Sequence, residues 1–178
     1  MPIITLTSDY GIVDHRVAAI KGKILDLKID ATIVDISHQI IAYNIQQAAY
    51  ILRNAYPYFP KGSIHIISVD SFYSKHRKSI LYQADDHFFI AADNGLLSIL
   101  FKDIKPEKIF EITLNNRFDD VVNFTTTDVF VPAAVHLANG GLPEIIGREF
   151  TKPKELSLQS AVYNEAEKII LGEFTYID

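Results

Sequence analysis

The chain has 178 residues, of which 48% are hydrophobic, and this is enough to bury one sizeable core. Its formal charge of -5 disfavours a general binder of nucleic acid or anionic membranes, because neutralising phosphates requires clustered Lys and Arg. The absence of cysteine excludes disulfides, a thiolate nucleophile and sulfur metal ligands, and with no secretory start and no long apolar run we expect a cytoplasmic protein.

Short apolar runs alternate with helical patterns over the first 70 residues. We predict strands at 3–6, 32–36 and 63–69, and helices at 15–29 and 44–56. The order strand, helix, strand, helix, strand indicates two crossover connections. It therefore predicts an α/β fold with a largely parallel sheet and helices on both faces.

The pattern changes in the second half of the chain. A hairpin is predicted at 79–83 and 87–91, followed by a short helix from Leu96, a strand at 108–113 and a helix at 129–137. Asp128 is positioned to cap that last helix, and Asn139-Gly140-Gly141 ends it. Periodicity is then lost until a strand-like run that stops abruptly at Asp178, so we expect something to have followed it.

Polar residues follow each of the first three predicted strands. Asp9, His38 and Asp70 come directly after them, and the carboxyl ends of parallel strands form the edge at which α/β proteins bind ligands. Each residue alone is equally well explained as a helix cap or turn residue. Their recurrence favours a shared site without saying what it binds.

Several common site signatures are missing from the sequence. There is no Gly-x-Gly-x-x-Gly after the first strand, no phosphate-binding Gly-x-x-x-x-Gly-Lys-Ser/Thr, and no Gly-x-Ser-x-Gly nucleophile motif. The six histidines include no His-x-x-x-His pair, so no metal site is predicted. The sequence also gives no reason to expect a cofactor.

Asp70 and Arg77 are the remaining candidates for chemistry. They lie seven residues apart across the loop that leaves the third strand, which is long enough to fold back and pair them. Such a pair could orient a water molecule or hold a polar ligand. It could equally be a surface ion pair that contributes at most about 1 kcal/mol to stability.

Seven stretches in this order resemble the S-adenosylmethionine hydroxide adenosyltransferases, the family related to the fluorinase and chlorinase. They are Leu6-Thr7-Ser8-Asp9-Tyr10-Gly11 with Asp14, Lys21-Gly22-Lys23-Ile24-Leu25, Val34-Asp35-Ile36-Ser37-His38, Tyr58-Phe59-Pro60-Lys61-Gly62-Ser63-Ile64-His65, Val69-Asp70 with Arg77, Ala92-Asp93-Asn94-Gly95-Leu96-Leu97, and Phe130-Val131-Pro132-Ala133-Ala134.

The resemblance implies S-adenosylmethionine as substrate or ligand, without a cofactor. Asp9 would hold the ribose hydroxyls, and Tyr43 would lie against the nucleoside unless it is only half-buried packing. Asp14 and Asp178 match positions near the ammonium group of the methionine end. Asn94 is carried over as a further binding residue.

The resemblance also implies a domain plan and an assembly. Residues 1–151 would form the family's N-terminal domain, 152–167 a linker, and 168–178 the first strand of its smaller C-terminal β domain, the remainder being absent from this chain. In the family the substrate lies between the N-terminal domain of one subunit and the C-terminal domain of its neighbour. A homotrimer is therefore expected.

Two departures from the family bear on activity. Hydrolytic members use Asp, Arg and His to activate water; Asp70 and Arg77 fill two of these places, but Thr125 stands where the His is expected. The family's Pro-Gly-Val-Gly loop is replaced by Ser-Phe-Tyr-Ser at 71–74, so its backbone path cannot be assumed. Thr126 matches a hydroxyl that the halogenating relatives place near the halide, although halogenation is not the favoured activity.

We therefore expect a protein that binds S-adenosylmethionine and, if active, hydrolyses it to adenosine and L-methionine by attack of water at the ribose C5′. Asp70 and Arg77 would orient that water. One alternative is a binding protein that has lost turnover with the His. Another is an assembly-only homologue with a degenerate pocket.

Overall fold

The computed structural model describes residues 1–27, 30–113, 122–158 and 161–172. Its centre is a seven-stranded sheet in the order β2-β1-β3-β5-β4-β6-β7. Neighbouring strands are parallel from β2 to β5 and antiparallel from β5 to β7. The predicted α/β class is confirmed, with the antiparallel part built from the predicted hairpin.

The elements from β1 to α4 occur in the predicted order, and α5, β7 and β8 are additional. The strands are β1 (Ile3–Ser8), β2 (Thr32–Ser37), β3 (Ile64–Ser68), β4 (Ser79–Ala84), β5 (His87–Ala92), β6 (Lys108–Ile112), β7 (Gly147–Glu149), β8 (Val162–Asn164) and β9 (Ile169–Leu171). The helices are α1 (Arg16–Asp26), α2 (Ile45–Ala55), α3 (Leu96–Leu100), α4 (Val131–Ala138) and α5 (Pro143–Ile146).

Helices cover both faces of the sheet. Successive residues of a strand point to opposite faces, so each face has its own apolar residues for a helix to cover. On one face Ile66, Leu81 and Ile90 pack with α1 and α4. On the other face Ile67 and Phe89 pack with α2 and α3. The sheet is thus buried between two apolar layers, which leaves its edges for polar contacts.

The start of α4 differs from the prediction. Thr126–Phe130 forms a π-helical turn that leads directly into α4, so the helical segment already contains Asp128. Its Oδ2 accepts hydrogen bonds from the upstream N–H groups of Asn123 and Phe124, at 3.0 and 2.9 Å. The prediction that Asp128 caps the helix is therefore wrong, because its carboxylate closes the loop before the turn instead.

Two short strands escaped the sequence analysis. Strand β7 lies on the edge beside β6, and Gly147 approaches so closely that an added Cβ would overlap the Glu111 carbonyl oxygen. Strand β8 lies within the predicted linker and pairs antiparallel with β9. Both strands have three residues, too few to show a period. The predicted strand beyond residue 172 lies outside the described residues.

The segment after β7 is fastened to the loop that follows β5. The Lys154 N–H donates to Asp93 Oδ1 and the Leu156 N–H to Ser98 Oγ, both at 2.8 Å. Gly95 between them has φ +96°, and a Cβ there would come within 2.3 Å of the Leu156 side chain. Glycine is therefore required by both the backbone conformation and the close approach.

A buried histidine pair joins β1, β3 and β5 within the sheet. His65 Nδ1 lies 2.7 Å from Thr5 Oγ1, and His65 Nε2 lies 3.1 Å from His87 Nδ1. Burial, and then the neighbouring His87, lowers the pKa of His65 to about 3. Burial also lowers the pKa of His87. Both rings are therefore held neutral near pH 7.

We expect His65 to make folding stability depend on pH. Unfolding releases the ring to its ordinary pKa near 6.5, so the unfolded chain binds a proton that the native protein excludes. This contribution to stability is complete above pH 6.5 and is lost as the pH falls towards 3. The unfolding free energy is measured by urea titration at a series of pH values and plotted against pH. In that window His65→Gln should reduce the slope of this plot by up to about 1.4 kcal/mol per pH unit.

His76→Gln, in an exposed loop, controls for the general loss of a histidine. Equal slopes for wild type and His65→Gln would contradict the assignment.

Candidate functional site

Polar residues converge at the carboxyl ends of the parallel strands, as predicted. From β1 the chain runs to β2 on one side and then crosses to β3 on the other, so the strand order reverses between β1 and β3. Asp9 follows β1, and Asp70 lies two residues beyond β3. The two carboxylates therefore flank the position where doubly wound sheets bind ligands.

Asp9 connects the loops that leave all three strands. Its Oδ2 accepts the backbone N–H of Tyr43 at 3.0 Å and that of Asp70 at 3.1 Å. Both donor residues have positive φ, 66° for Tyr43 and 47° for Asp70. Such conformations are unfavourable for residues other than glycine and persist where surrounding contacts fix them. The Asp9 carboxylate is the contact that the two residues share.

Asp70 and Arg77 form the predicted pair. Arg77 Nη1 donates to Asp70 Oδ1 at 2.9 Å and to the Asp70 carbonyl at 2.7 Å. A turn returns the chain, with the Arg77 N–H donating to the Ser74 carbonyl at 3.0 Å. The side chains of Asp70 and Arg77 remain 24% and 32% exposed. The pair is fixed in position and still reachable from solvent.

Asn94 holds the backbone at Asp70 through side-chain hydrogen bonds. The buried Asn94 Nδ2 donates to the carbonyls of Val69 and Asp70 at 3.0 and 3.3 Å, and its Oδ1 accepts the Leu96 N–H at 3.1 Å. The structure thus places this predicted binding residue against the backbone of Asp70.

Phe72 and Tyr73, together with Ser71, which follows Asp70 in the chain, line a cavity of about 310 Å³, which we call the aromatic pocket. Its other rings are those of Tyr10 and Phe124, whose centroids lie 5.4 Å apart. His15, Arg16 and Thr125 also line it. The two central residues of the replaced 71–74 loop, Phe72 at a glycine position of the family and Tyr73 at its valine position, therefore supply two walls of a cavity.

Thr125 contributes an unsatisfied polar atom to this pocket. The residue is 5% exposed, and its Oγ1 is buried without a hydrogen-bond partner among the described residues. Thr125 also lines a cavity of about 120 Å³ that includes Arg77. Buried hydroxyls without partners are rare, so Thr125 is an unusual residue in the walls of the two cavities.

Thr126 belongs to a cluster of hydroxyl groups behind the pocket. Its Oγ1 donates to Ser68 Oγ at 2.8 Å and lies 2.9 Å from the Tyr10 hydroxyl, which is 3.0 Å from Ser71 Oγ. Burial raises the pKa of Tyr10, although these hydroxyl contacts oppose the shift. The phenol therefore stays protonated and can donate within the cluster.

Tyr43, Asp14 and Asp178 are the remaining residues that were predicted to bind the ligand. The Tyr43 side chain is exposed, with its ring 5.9 Å from that of Phe72. Asp14 Oδ1 accepts the Arg16 N–H at 2.9 Å, and Asp14 Oδ2 lies 3.5 Å from Arg16 Nη1. Asp178 lies outside the described residues.

His38 reaches the same edge but is buried. Its Nδ1 lies 2.7 Å from Ser8 Oγ, and its Nε2 lies 3.2 Å from Asp35 Oδ1. Partial burial alone would raise the pKa of Asp35, but hydrogen bonds with Lys21 and His38 outweigh it and lower the pKa. His38 thus ties the end of β2 to the end of β1.

Sequence reasoning missed most of the residues that line the aromatic pocket. Tyr10 lies within a motif shared with the family, and no sequence pattern singles out Arg16 or Phe124. Phe72 and Tyr73 stand in the loop that replaces the family's Pro-Gly-Val-Gly. Two adjacent aromatic residues in a loop, more than half exposed in the structure, were the signal that could have indicated a binding surface.

Within the described ranges, no group of three or more His, Asp or Glu side chains is placed to hold a metal ion. The described helices also include none long and apolar enough to cross a membrane.

The sheet topology and the convergence of Asp9, Asp70 and Arg77 define an α/β protein with a candidate ligand site at its strand switch point. Residues 4–147 match the family model described as the S-adenosylmethionine hydroxide adenosyltransferase N-terminal domain. The chain belongs to this family.

Curated relatives carry two different names. A "(R)-S-adenosyl-L-methionine hydrolase" from Methanocaldococcus jannaschii is 34% identical over 89% of this chain, and one from Salinispora tropica is 31% identical over 78%. A "Fluorinase" from Actinopolyspora mzabensis is 24% identical over 83%. The alignments cover 64%, 54% and 58% of these relatives, so the chain spans less than two thirds of their length.

A solved structure has the same fold. The crystal structure of an uncharacterised conserved protein from Thermotoga maritima superposes with a TM-score of 0.82 at 28% identity. The match covers 92% of this chain and 63% of the other.

Removing the Asp9 carboxylate should loosen the loops that it joins. We expect Asp9→Ala to speed amide hydrogen exchange at Tyr43 and Asp70 by about tenfold or more, because each N–H loses a hydrogen bond to a charged acceptor. Asp9→Asn keeps an acceptor oxygen and should give an intermediate rate. Unchanged exchange at both amides in Asp9→Ala would contradict the assigned role.

Proposed function

We propose that this protein binds S-adenosylmethionine and hydrolyses it to adenosine and L-methionine. The observation that carries the proposal is the fixed Asp70–Arg77 pair at the strand switch point, beside cavities lined by Thr125. The relatives named S-adenosylmethionine hydrolases, at 29–34% identity, support the choice of substrate and reaction.

The reaction needs few catalytic groups. Water oxygen forms a bond to the ribose C5′ while the C5′–sulfur bond breaks and its electron pair returns to sulfur. The leaving methionine is a neutral thioether, so it needs no acid. The enzyme must instead align a partly desolvated water molecule with C5′.

The described residues can share these tasks. Asp70 would accept a hydrogen bond from the water and take up its proton, while Arg77 fixes the orientation of Asp70. The other Asp9 oxygen, Oδ1, would accept from the ribose hydroxyls, since both backbone hydrogen bonds use Oδ2. Tyr43 would lie against the nucleoside, and Asp14 would bind the ammonium group. Assembly as a homotrimer is part of the same proposal.

One observation favours a second function, binding without turnover. The position at which the hydrolytic relatives are expected to carry His is Thr125, and its hydroxyl is no base near neutral pH. General acid–base assistance contributes typically about 10² to 10⁴ in rate. A protein with the ligand residues but without that assistance could retain S-adenosylmethionine and release no product.

Product analysis separates the two functions. The chain is incubated with equimolar S-adenosylmethionine and denatured, and adenosine and methionine are quantified by chromatography against an enzyme-free control. We expect equal amounts of both products, formed at least about 100-fold more slowly by Asp70→Asn. Asp86→Asn, which alters an exposed carboxylate paired with Lys61, is the matched control. Intact substrate after long incubation would reject hydrolysis and favour the binding protein.

Restoring a base should accelerate the reaction. We expect Thr125→His to raise the hydrolysis rate by up to about 10², with a rise as the pH passes the imidazole pKa near 6.5. Thr125→Gln provides a side chain of similar reach without a base and should give no such rise. If Thr125→His has no effect, the 71–74 loop and not the missing His limits the chemistry.

A further inference from the structure

Arg16 lies beside the aromatic pocket with a guanidinium group that is only partly neutralised. It lines the pocket, and its Cζ lies 5.6 Å from the centroid of the Tyr10 ring. Its nearest acidic partner is Asp14, at 3.5 Å, and the two side chains are 46% and 39% exposed. A pair this long and this exposed leaves the guanidinium able to bind another anion.

The pocket itself suits an apolar or cationic group more than a second nucleoside. A volume of about 310 Å³ is at the lower end for a small-molecule site, and four of its lining residues are aromatic. Aromatic faces attract cations and pack well against sulfur.

Charges of both signs lie next to each other at one end of this pocket: Asp14, which does not itself line the pocket, lies 3.5 Å from Arg16, which does. Asp14 can accept hydrogen bonds from an ammonium group, and Arg16 can donate two parallel hydrogen bonds to a carboxylate. A dianion such as phosphate would be repelled by Asp14. The α-amino acid head of a ligand, which carries an ammonium group next to a carboxylate, complements both residues.

We propose that Arg16 is a specificity residue that binds the carboxylate of the substrate's amino-acid arm, with the sulfonium and methylene groups against the aromatic pocket. The inference rests on the proposed function and names the residues that recognise one end of its substrate. The exposed ring of Tyr43 lies next to that of Phe72, which lines the pocket together with Arg16. A ligand can therefore extend from the Asp9 end of the site to Arg16.

Decarboxylated S-adenosylmethionine tests the role of Arg16 directly. Binding of both ligands to the 178-residue chain is measured by NMR titration, which reaches millimolar dissociation constants. We expect Arg16→Met to weaken S-adenosylmethionine binding about tenfold or more and to change binding of the decarboxylated ligand less than twofold. Arg16→Lys should be intermediate, because it keeps the charge but loses the planar fork. Lys23→Met, on the same helix and paired with Asp26, should bind both ligands like wild type.

The aromatic pocket is tested with the neutral thioether S-adenosylhomocysteine. Phe72→Leu and Tyr73→Leu keep apolar volume but remove the ring face. They should therefore lower the preference for the sulfonium over the thioether about threefold or more.

The outcomes separate this inference from the proposed function. If Arg16→Met weakens both ligands equally, or neither, the carboxylate assignment is overturned while S-adenosylmethionine binding stands. An unchanged preference in both leucine variants would overturn the placement of the sulfonium. If wild type binds neither sulfonium ligand at millimolar concentration, the inference and the proposed function fail together.

Discussion

The Asp9 carboxylate is the contact on which the geometry of the site depends. One of its oxygens receives two backbone N–H groups, from residues that follow β2 and β3, while Asp9 itself follows β1. Both donors have positive φ, a conformation that is uncommon for residues other than glycine. Because Asp70 is one of the two, Asp9 helps to set the position of the Asp70–Arg77 pair relative to the sheet, together with Asn94, which holds the Asp70 carbonyl. Asp9, which is expected to bind the ribose hydroxyls, thus also helps to set the geometry of the site.

The fold could be predicted from the sequence because it depends on local sequence patterns. Alternating apolar runs and helical spacing predicted β1, α1, β2, α2 and β3 in order, and from them the sheet edge at which Asp9 and Asp70 lie. The loop length allowed Asp70 to pair with Arg77, and the structure contains that pair. Asp128 shows where local reasoning failed. A carboxylate before a helical pattern suggests a cap, but the π-helical turn begins at Thr126, so Asp128 lies inside it and accepts from the upstream Phe124 N–H.

The aromatic pocket could not be predicted from the sequence because it depends on contacts between distant parts of the chain. The aromatic pocket joins residues near 10, 72 and 124, and no sequence spacing relates them. Loss of two expected glycines predicted only that the backbone of the 71–74 loop would differ. That Phe72 and Tyr73 would become walls follows from tertiary packing, as does the cluster in which the Tyr10 hydroxyl meets Ser71 and Thr126. Hydroxyl groups adopt such partners only when the fold brings them together.

The fastening of Lys154 and Leu156 to the loop after β5 has a mechanical consequence. That loop contains Asn94, which holds the Asp70 carbonyl, and Gly95, against which the Leu156 side chain rests. The segment that ends at residue 158 is therefore fixed relative to Asp70. A bulkier residue at position 95 would displace the Leu156 side chain and strain the support of Asp70 at the same time, so one substitution would disturb both.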